Sequence, residues 1–392
     1  MTPGAHIAAA IEVLDQILAG KNAEVSLIKW GRSNRFAGSG DRYAIRDIVY
    51  DALRQKNSLT KRSKNISGRS WIIALLKKRE VDLDEYFGAT RYSPPKIKKW
   101  ELELLPIENE SDLYDIPDWL WPKWKASLGI KAIEVAGTLK ERANIFLRVN
   151  IIKGTRQDAI QALEKDGILS KFHPTVSTAL IVNKGTRKIK NSEAYNIGLV
   201  ELQDASSQAS VLKLNIDQNG PILDFCAGGG GKALALNAYL NKPIFAYDAN
   251  LMRMNNLPKR ASRSGADIRI IKSNDLKISY YGLVFCDAPC SGSGTWRRDP
   301  EGKWSLTLKD YERLLSLQEN ILTTAAQLVR ANGRLVYATC SVLKDENKTQ
   351  IQKFLANSNE WVFEKEKLFM PNELGDGFYF ATLKKIKYSN KN

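Results

Sequence analysis

Asp224-Phe225-Cys226-Ala227-Gly228-Gly229-Gly230-Gly231-Lys232 ends the short apolar run 221–225, and a helical span follows it. Consecutive glycines after a strand let the backbone approach a ligand without Cβ obstruction. In doubly wound sheets, ligands gather where the carboxyl ends of strands meet loops and helix N-termini. Downstream, the runs 244–249, 268–272, 283–286 and 334–339 are apolar strand candidates separated by helical spans, the βαβ signature of an open, mostly parallel sheet. The run 378–383, after Gly375-Asp376-Gly377, is read as a closing strand, and residues 384–392 as a loose polar tail. The expected fold class is therefore α/β, with a Rossmann-like sheet spanning residues 211–388.

Upstream of this sheet the pattern changes. Residues 141–210 hold a β-rich run at 145–149, an amphipathic helix through Ile160 and Leu163 stopped by Gly167, a second run at 179–182, and Val200-Glu201-Leu202 leading into a helix start. This reads as a small α/β module. Residues 1–140 read as an all-helical domain, because Ile7, Ile11, Leu14 and Leu18 keep helical spacing, as do Ala44, Ile45, Ile48, Val49 and Leu53. Asp41 is the expected N-cap of that second helix.

The chain has 392 residues, room for two or three cores. Its 43% hydrophobic and 26% charged content is globular, and no apolar run reaches bilayer length. The first twenty residues show no secretory leader, so a cytoplasmic location is expected. The excess of 59 Lys plus Arg over 43 Asp plus Glu, a formal +16, points to a polyanionic partner such as nucleic acid. Residues 54–79 carry nine basic residues, Lys61 and Arg62 among them, no acid, and Trp71. Such a patch can track phosphates without reading sequence.

The glycine turn alone does not name its ligand. A phosphate-cradling loop would need a glycine where Cys226 stands and a Ser or Thr where Ala233 stands, which excludes it. Asp248, ~20 residues on, is placed to accept hydrogen bonds from ribose hydroxyls. Asp275 after the third strand is a parallel candidate. Either acid can instead cap its own loop, and NAD and S-adenosylmethionine both remain at this point.

The cysteines narrow the field. All four, Cys226, Cys286, Cys290 and Cys340, lie in the C-terminal half, far in sequence from His6 and His173. No paired Cys/His spacing fits zinc, no metal is expected, and a disulfide framework does not suit a chain of this length without an export signal. Cys286 lies within an apolar strand and is read as a core residue. Cys290, in Asp287-Ala288-Pro289-Cys290-Ser291-Gly292, and Cys340, in Ala338-Thr339-Cys340-Ser341, lie past two strand ends.

Two thiols at one sheet edge fit the 5-methylation of cytosine. Carbon 5 is a poor nucleophile until a thiolate adds to carbon 6, and a second group must then help the carbon 5 proton leave. A free thiol ionises near pH ~8.5, so the nucleophile needs a helix N-terminus or a cation nearby. The expected helix start at Lys344-Asp345-Glu346-Asn347 and Lys232 are candidates. Asp287 suits hydrogen bonds to the cytosine ring nitrogen and exocyclic amine, or simply forms the turn before Pro289. Chemistry alone allows either cysteine to be the nucleophile.

With these motifs in hand, the chain resembles the Sun family of RNA (cytosine-5)-methyltransferases, in its bacterial ribosomal RNA branch with a NusB-like helical domain. Both cysteine motifs carry the likeness, together with Arg298-Asp299-Pro300-Glu301, Arg148-Val149-Asn150, Gln203-Asp204-Ala205-Ser206 and, in the helical part, Phe36-Ala37-Gly38-Ser39-Gly40-Asp41-Arg42. The resemblance implies a class I fold binding S-adenosylmethionine through residues Cys226, Ala227, Gly228, Gly229, Gly230, Gly231, Lys232, Asp248, Asp275 and Asp287. It also implies Cys340 as nucleophile, Cys290 as release residue, RNA contacts at Arg148, Asn150, Arg298, Lys61 and Arg62, and a monomer. The chain departs from the family at Gly228-Gly229, usually Ala-Pro, and at Ala233, usually Thr. The rival readings are a DNA cytosine methyltransferase, disfavoured by the Thr339-Cys340-Ser341 setting, methylation of transfer RNA, and a non-catalytic RNA-binding assembly factor.

Overall fold

The computed structural model describes residues 1–214 and 220–386. Contacts divide the chain into two units, Met1–Arg142 with Trp296–Leu306, and Ala143–Thr295 with Thr307–Asn392.

The first unit is helical, as its apolar spacing requires. Helices Pro3–Leu18, Ala23–Ser33, Ser39–Arg54 and Gly68–Lys78 bury Ile7, Leu14, Ile45, Val49 and Leu53 in one core. Trp71 is fully buried in that core. It is therefore no surface platform within the basic run. Asp41 is not the N-cap: the helix starts at Ser39 after Gly38, and Asp41 Oδ2 accepts from the Gly38 amide at 3.0 Å from inside the first turn. Gly38 supplies the extended residue that turns the chain into the helix, so the boundary falls earlier than the periodicity indicated.

Trp296–Leu306 joins this helical unit although its neighbours in sequence belong to the sheet. Trp296 stacks on Trp124 with ring centroids 5.9 Å apart. Glu301 accepts from the Ala23 amide at 3.0 Å and from Asn22 Nδ2 at 2.7 Å, placing a carboxylate at the N-terminus of helix Ala23–Ser33. Lys303, fully buried, donates to the Arg54 and Asp115 carbonyls at 3.1 and 2.8 Å. Trp304 Nε1 donates to the Leu53 carbonyl at 2.6 Å.

The second unit holds two sheets. β1 (Ile145–Val149), β2 (Leu169–Phe172), β3 (Ala179–Lys184) and β4 (Val200–Leu202) form an antiparallel sheet in the order β2-β3-β1-β4. The larger sheet contains β5 (Ile222–Asp224), β6 (Ile244–Ala246), β7 (Ile268–Ile270), β8 (Tyr281–Asp287), β9 (Val329–Thr339), β10 (Trp361–Phe369) and β11 (Phe378–Lys385). Its order is β10-β11-β9-β8-β5-β6-β7. The pairs from β9 to β7 are parallel, and β11 and β10 pair antiparallel. This is the Rossmann-like α/β architecture expected.

Alternation fills both faces. Leu283 and Phe285 of β8 face one core, while Val284 and Cys286 face the other, so Cys286 is the small core residue its setting indicated. Two features differ from expectation. Neither β2 nor β10 was anticipated. Lys384 and Lys385 end strand β11 rather than opening a tail, while residues 387–392 of the expected tail lie outside the described residues. From β5 the chain steps outward through β6 to β7 and then returns to the other side of β5 as β8. That reversal is a topological switch point, where a crevice opens at the carboxyl ends of the strands.

Candidate active site

The switch point lies between Asp224 and Asp287, the last residues of β5 and β8. After Asp224 the chain runs through the glycine turn into helix Gly231–Leu240. The Ala227 amide donates to the Tyr247 carbonyl at 2.9 Å, and the Gly228 amide to Asp248 Oδ2 at 2.9 Å, which ties the turn to the end of β6. Gly230 has φ +81°, and a Cβ there would lie 2.1 Å from Leu257 Cδ1, so the turn needs glycine at this point. From the other side, Arg148 donates to the Gly231 carbonyl at 2.9 Å and to Gln203 Oε1 at 2.7 Å. The Gly229 carbonyl accepts from Arg260.

Lys232, from the first turn of the helix, pairs with Asp287 Oδ2 at 2.9 Å, and its Nζ lies 4.4 Å from the centroid of the Phe378 ring. Asp224 is fully buried, and neither carboxylate oxygen has a hydrogen-bond partner. Burial and the neighbouring Asp287 push its carboxyl up to about 7.

The loops after β8 and β9 bring the two cysteines together, Cys290 Sγ lying 3.3 Å from Cys340 Sγ. The hydrogen bond with Cys340 and burial both push the Cys290 thiol well above its ordinary range. Behind the sulfurs, the fully buried Glu346 accepts from the Ser291 amide at 2.8 Å, Ser291 Oγ at 2.5 Å, Gln318 Nε2 at 3.0 Å and Ser341 Oγ. Gln318 also donates to the Pro289 carbonyl at 2.9 Å. The Gly294 amide donates to the Cys340 carbonyl at 2.9 Å, and the Gly377 amide to the Gly294 carbonyl at 2.9 Å. Both cysteine loops are thus held by backbone and buried polar contacts, with the sulfurs in contact.

Two comparisons by sequence bear on what this arrangement is. Residues 211–385 match the family model described as 16S rRNA methyltransferase RsmB/F, and residues 116–188 match the ferredoxin-like domain of RsmF/B-like methyltransferases. Residues 211–385 are thus similar to the catalytic part of the RsmB/F methyltransferases. Ribosomal RNA small subunit methyltransferase B of Proteus mirabilis is 29% identical over 288 residues, which is 71% of this chain and 68% of that protein. The same-named protein of Yersinia pseudotuberculosis is 28% identical over 326 residues, 76% of this chain and 75% of that one. Among solved structures, PH0851 superposes with TM-score 0.76 at 23% identity, covering 98% of this chain and 99% of that one. NSun6 from Pyrococcus horikoshii with SFG gives TM-score 0.62 at 19% identity, covering 70% and 100%. These two likenesses are of fold.

The catalytic part is accordingly that of a methyltransferase that uses S-adenosylmethionine. The residues present fit such a group. The glycine turn Gly228–Gly231 and the buried carboxylate of Asp224, whose oxygens have no hydrogen-bond partner, both stand at the carboxyl end of β5. The candidate residues Cys226, Ala227, Gly228, Gly229, Gly230, Gly231 and Lys232 form one turn, and Asp248 adjoins it. Asp248 is engaged, accepting from Gly228 and from the Asn250 amide at 2.9 Å and pairing with Arg253 at 3.2 Å. Asp275 is exposed, and its Oδ2 caps its own turn by accepting from the Lys272 amide at 2.9 Å.

The RNA candidates are scattered. Arg148 and Asn150 are buried, Asn150 donating to the Gly198 and Ser264 carbonyls at 3.2 and 2.9 Å. These two residues brace the β1 end and the glycine turn. Asn150 Nδ2 is taken by backbone carbonyls, and Arg148 Nη1 by the Gly231 carbonyl and Gln203 Oε1, while Arg148 Nε has no partner. Arg298 and Lys61 are exposed in the helical unit, Lys61 lying 3.5 Å from Asp112, and Arg62 is half-buried there. Sequence reading passed over Asp224, Gln318 and Glu346. For Asp224 the signal was its place at a strand end. Glu346 was visible only as part of a helix start.

Proposed function

We propose that the protein methylates carbon 5 of a cytosine in small-subunit ribosomal RNA through a transient thioether from Cys340 to carbon 6. The observation that carries this reading is the 3.3 Å approach of Cys290 and Cys340 beside the glycine turn. One thiol there can add to a base while a second stands within reach of the same ring. The relatives named for the ribosomal small subunit supply the RNA class.

In this scheme the Cys340 thiolate adds to carbon 6, the ring nitrogen takes up a proton as charge develops on it, and Asp287, which Lys232 holds by one oxygen, accepts from that N–H and from the exocyclic amine. S-adenosylmethionine supplies the electrophilic methyl group. The carbon 5 proton then leaves to a base, the carbon 6–sulfur bond breaks, and Cys340 departs as thiolate. Cys290 assists this last step. Its thiol is held protonated chiefly by the hydrogen bond with Cys340, and that hold weakens once the Cys340 sulfur is bonded to carbon, a thioether being a weaker acceptor than a thiolate. The helical residues 1–140 are assigned to RNA binding with Lys61, Arg62 and Arg298, residues 141–210 to a linking module, and residues 211–388 to catalysis by a cytoplasmic monomer.

The test is methyl transfer from labelled S-adenosylmethionine to small-subunit ribosomal RNA and to transfer RNA, with trapping of covalent RNA–protein adducts. Label is expected on a ribosomal cytosine. Cys340→Ala abolishes label and adduct, whereas Cys290→Ala accumulates adduct. Adduct with Cys340→Ala and none with Cys290→Ala would exchange the roles. Label on transfer RNA alone overturns the substrate, and wild-type protein that labels no RNA while Cys290→Ala forms no adduct overturns the enzyme.

A further inference from the structure

The two cysteine loops are far apart in sequence, yet one side chain reaches both. Glu346 lies between them, fully buried, and each of its oxygens is taken by donors from these loops and from Gln318. Ser291 directly follows Cys290, and Ser341 directly follows Cys340. Their hydroxyls converge on Glu346 Oε2, and Ser291 adds its amide to Oε1. A buried carboxylate is tolerated only where it is so satisfied.

The neighbourhood is tied in further. Ser293 Oγ lies 2.8 Å from Ser341 Oγ and accepts from the Val342 amide at 3.0 Å. Tyr337 OH donates to the Glu346 carbonyl at 2.7 Å, and Asn347 Nδ2 donates to the Ser341 carbonyl at 2.8 Å. Glu346 is fully buried, and both of its carboxylate oxygens are occupied by protein donors.

We infer that Glu346 is a positioning residue for the two-thiol chemistry: by binding Ser291 and Ser341 together it sets the separation of Cys290 and Cys340. The inference rests on the reaction proposed above, but the separation can be measured without it. Glu346→Gln keeps an acceptor for the Ser291 amide and Gln318, and the two hydroxyls can turn to accept from its amide. Glu346→Ala removes every arm.

The first measurement is oxidation of the full chain by diamide without RNA. Two thiols give up two electrons and two protons to diamide, which becomes the hydrazine, and a sulfur–sulfur bond forms between Cys290 and Cys340. Peptide mass mapping follows the product, with Cys290→Ser as the blank. In parallel, S-adenosylmethionine binding is followed by calorimetry and methyl transfer by kcat and KM. Glu346→Ala is expected to cross-link and to turn over roughly tenfold or more slowly, with KM and cofactor affinity within about threefold of wild type, because misplacement at a reacting centre lowers kcat. Glu346→Gln is expected to recover both rates to within about threefold.

Cross-linking of Glu346→Ala at the wild-type rate overturns the inference. Should Glu346→Ala fail to bind cofactor, the decision passes to Ser291→Ala with Ser341→Ala, each of which removes one arm. Slower cross-linking in that pair upholds the clamp, and an unchanged rate overturns it. A wild type that cross-links but methylates no RNA would reject the reaction and leave the clamp standing.

Discussion

Lys232 and Asp287 meet at 2.9 Å across the switch point, one from the helix after β5 and the other from the end of β8. The lysine is nearly buried while the aspartate is 31% exposed, so the pair presents a fixed carboxylate toward the crevice. Lys232→Met keeps the packing against Phe378 but leaves Asp287 unpaired. Its expected cost is about 1–2 kcal/mol of stability and a fall in kcat of roughly tenfold or more. Unchanged kcat in steady-state methyl transfer would show that Asp287 needs no partner.

Gly294 and Gly377 pack backbone against backbone. A Cβ on Gly294 would lie 2.5 Å from the Gly377 carbonyl oxygen, and backbone cannot move aside as a side chain can. Gly294→Ala is expected to displace the Cys290 loop, lowering the melting temperature and slowing methyl transfer, at a cost of about 1–3 kcal/mol. Wild-type melting and activity would mean that the two loops part easily.

Asp224 gives a pH signature. Its carboxyl titrates at about 7 when folded against 3.8 for the ordinary group. Between these values the folded protein holds a proton that the unfolded chain has released. Stability therefore falls as pH rises from about 4 to about 7. Asp224→Asn removes that slope, so its melting temperature is expected to gain on wild type across this window. A gap that stays constant with pH contradicts a carboxyl titrating there.

Lys303 behaves in the opposite sense. Burial pushes its ammonium down to about 7 from 10.5, so between those values the unfolded chain binds the extra proton and stability rises with pH. Lys303→Met leaves the Arg54 and Asp115 carbonyls without this donor. It is expected to destabilise the helical unit above pH ~8 more than below pH ~7. Thermal melts at a series of pH values check the trend.

Much of the sheet was legible because its strands are buried on both faces and read as apolar runs, as β8 does from Leu283 to Cys286. β10 escaped because Glu364, Lys365, Glu366 and Lys367 interrupt its pattern, as charges do on an edge strand. At the site, Cys290 and Cys340 announced themselves by lying past strand ends among small residues. For Arg148 the sequence shows a charge but not its burial. Glu346 stayed hidden because its significance lies in contacts with Ser291, far away in the chain. Likewise, nothing local marks residues 296–306 as part of the helical unit, since membership of a core is decided by partners such as Trp124 and Leu53.

That excursion means the protein cannot be dissected with one cut. A fragment beginning at Ala143 would carry Trp296, Lys303 and Trp304 stripped of the ring and carbonyls that receive them, and a fragment ending at Arg142 would lack the carboxylate that caps helix Ala23–Ser33. Genetic lesions near the Cys290 motif therefore fall into two classes that proximity in sequence conceals. Those up to Thr295 bear on the loop that carries Cys290, and those from Trp296 to Leu306 bear on the integrity of the helical unit.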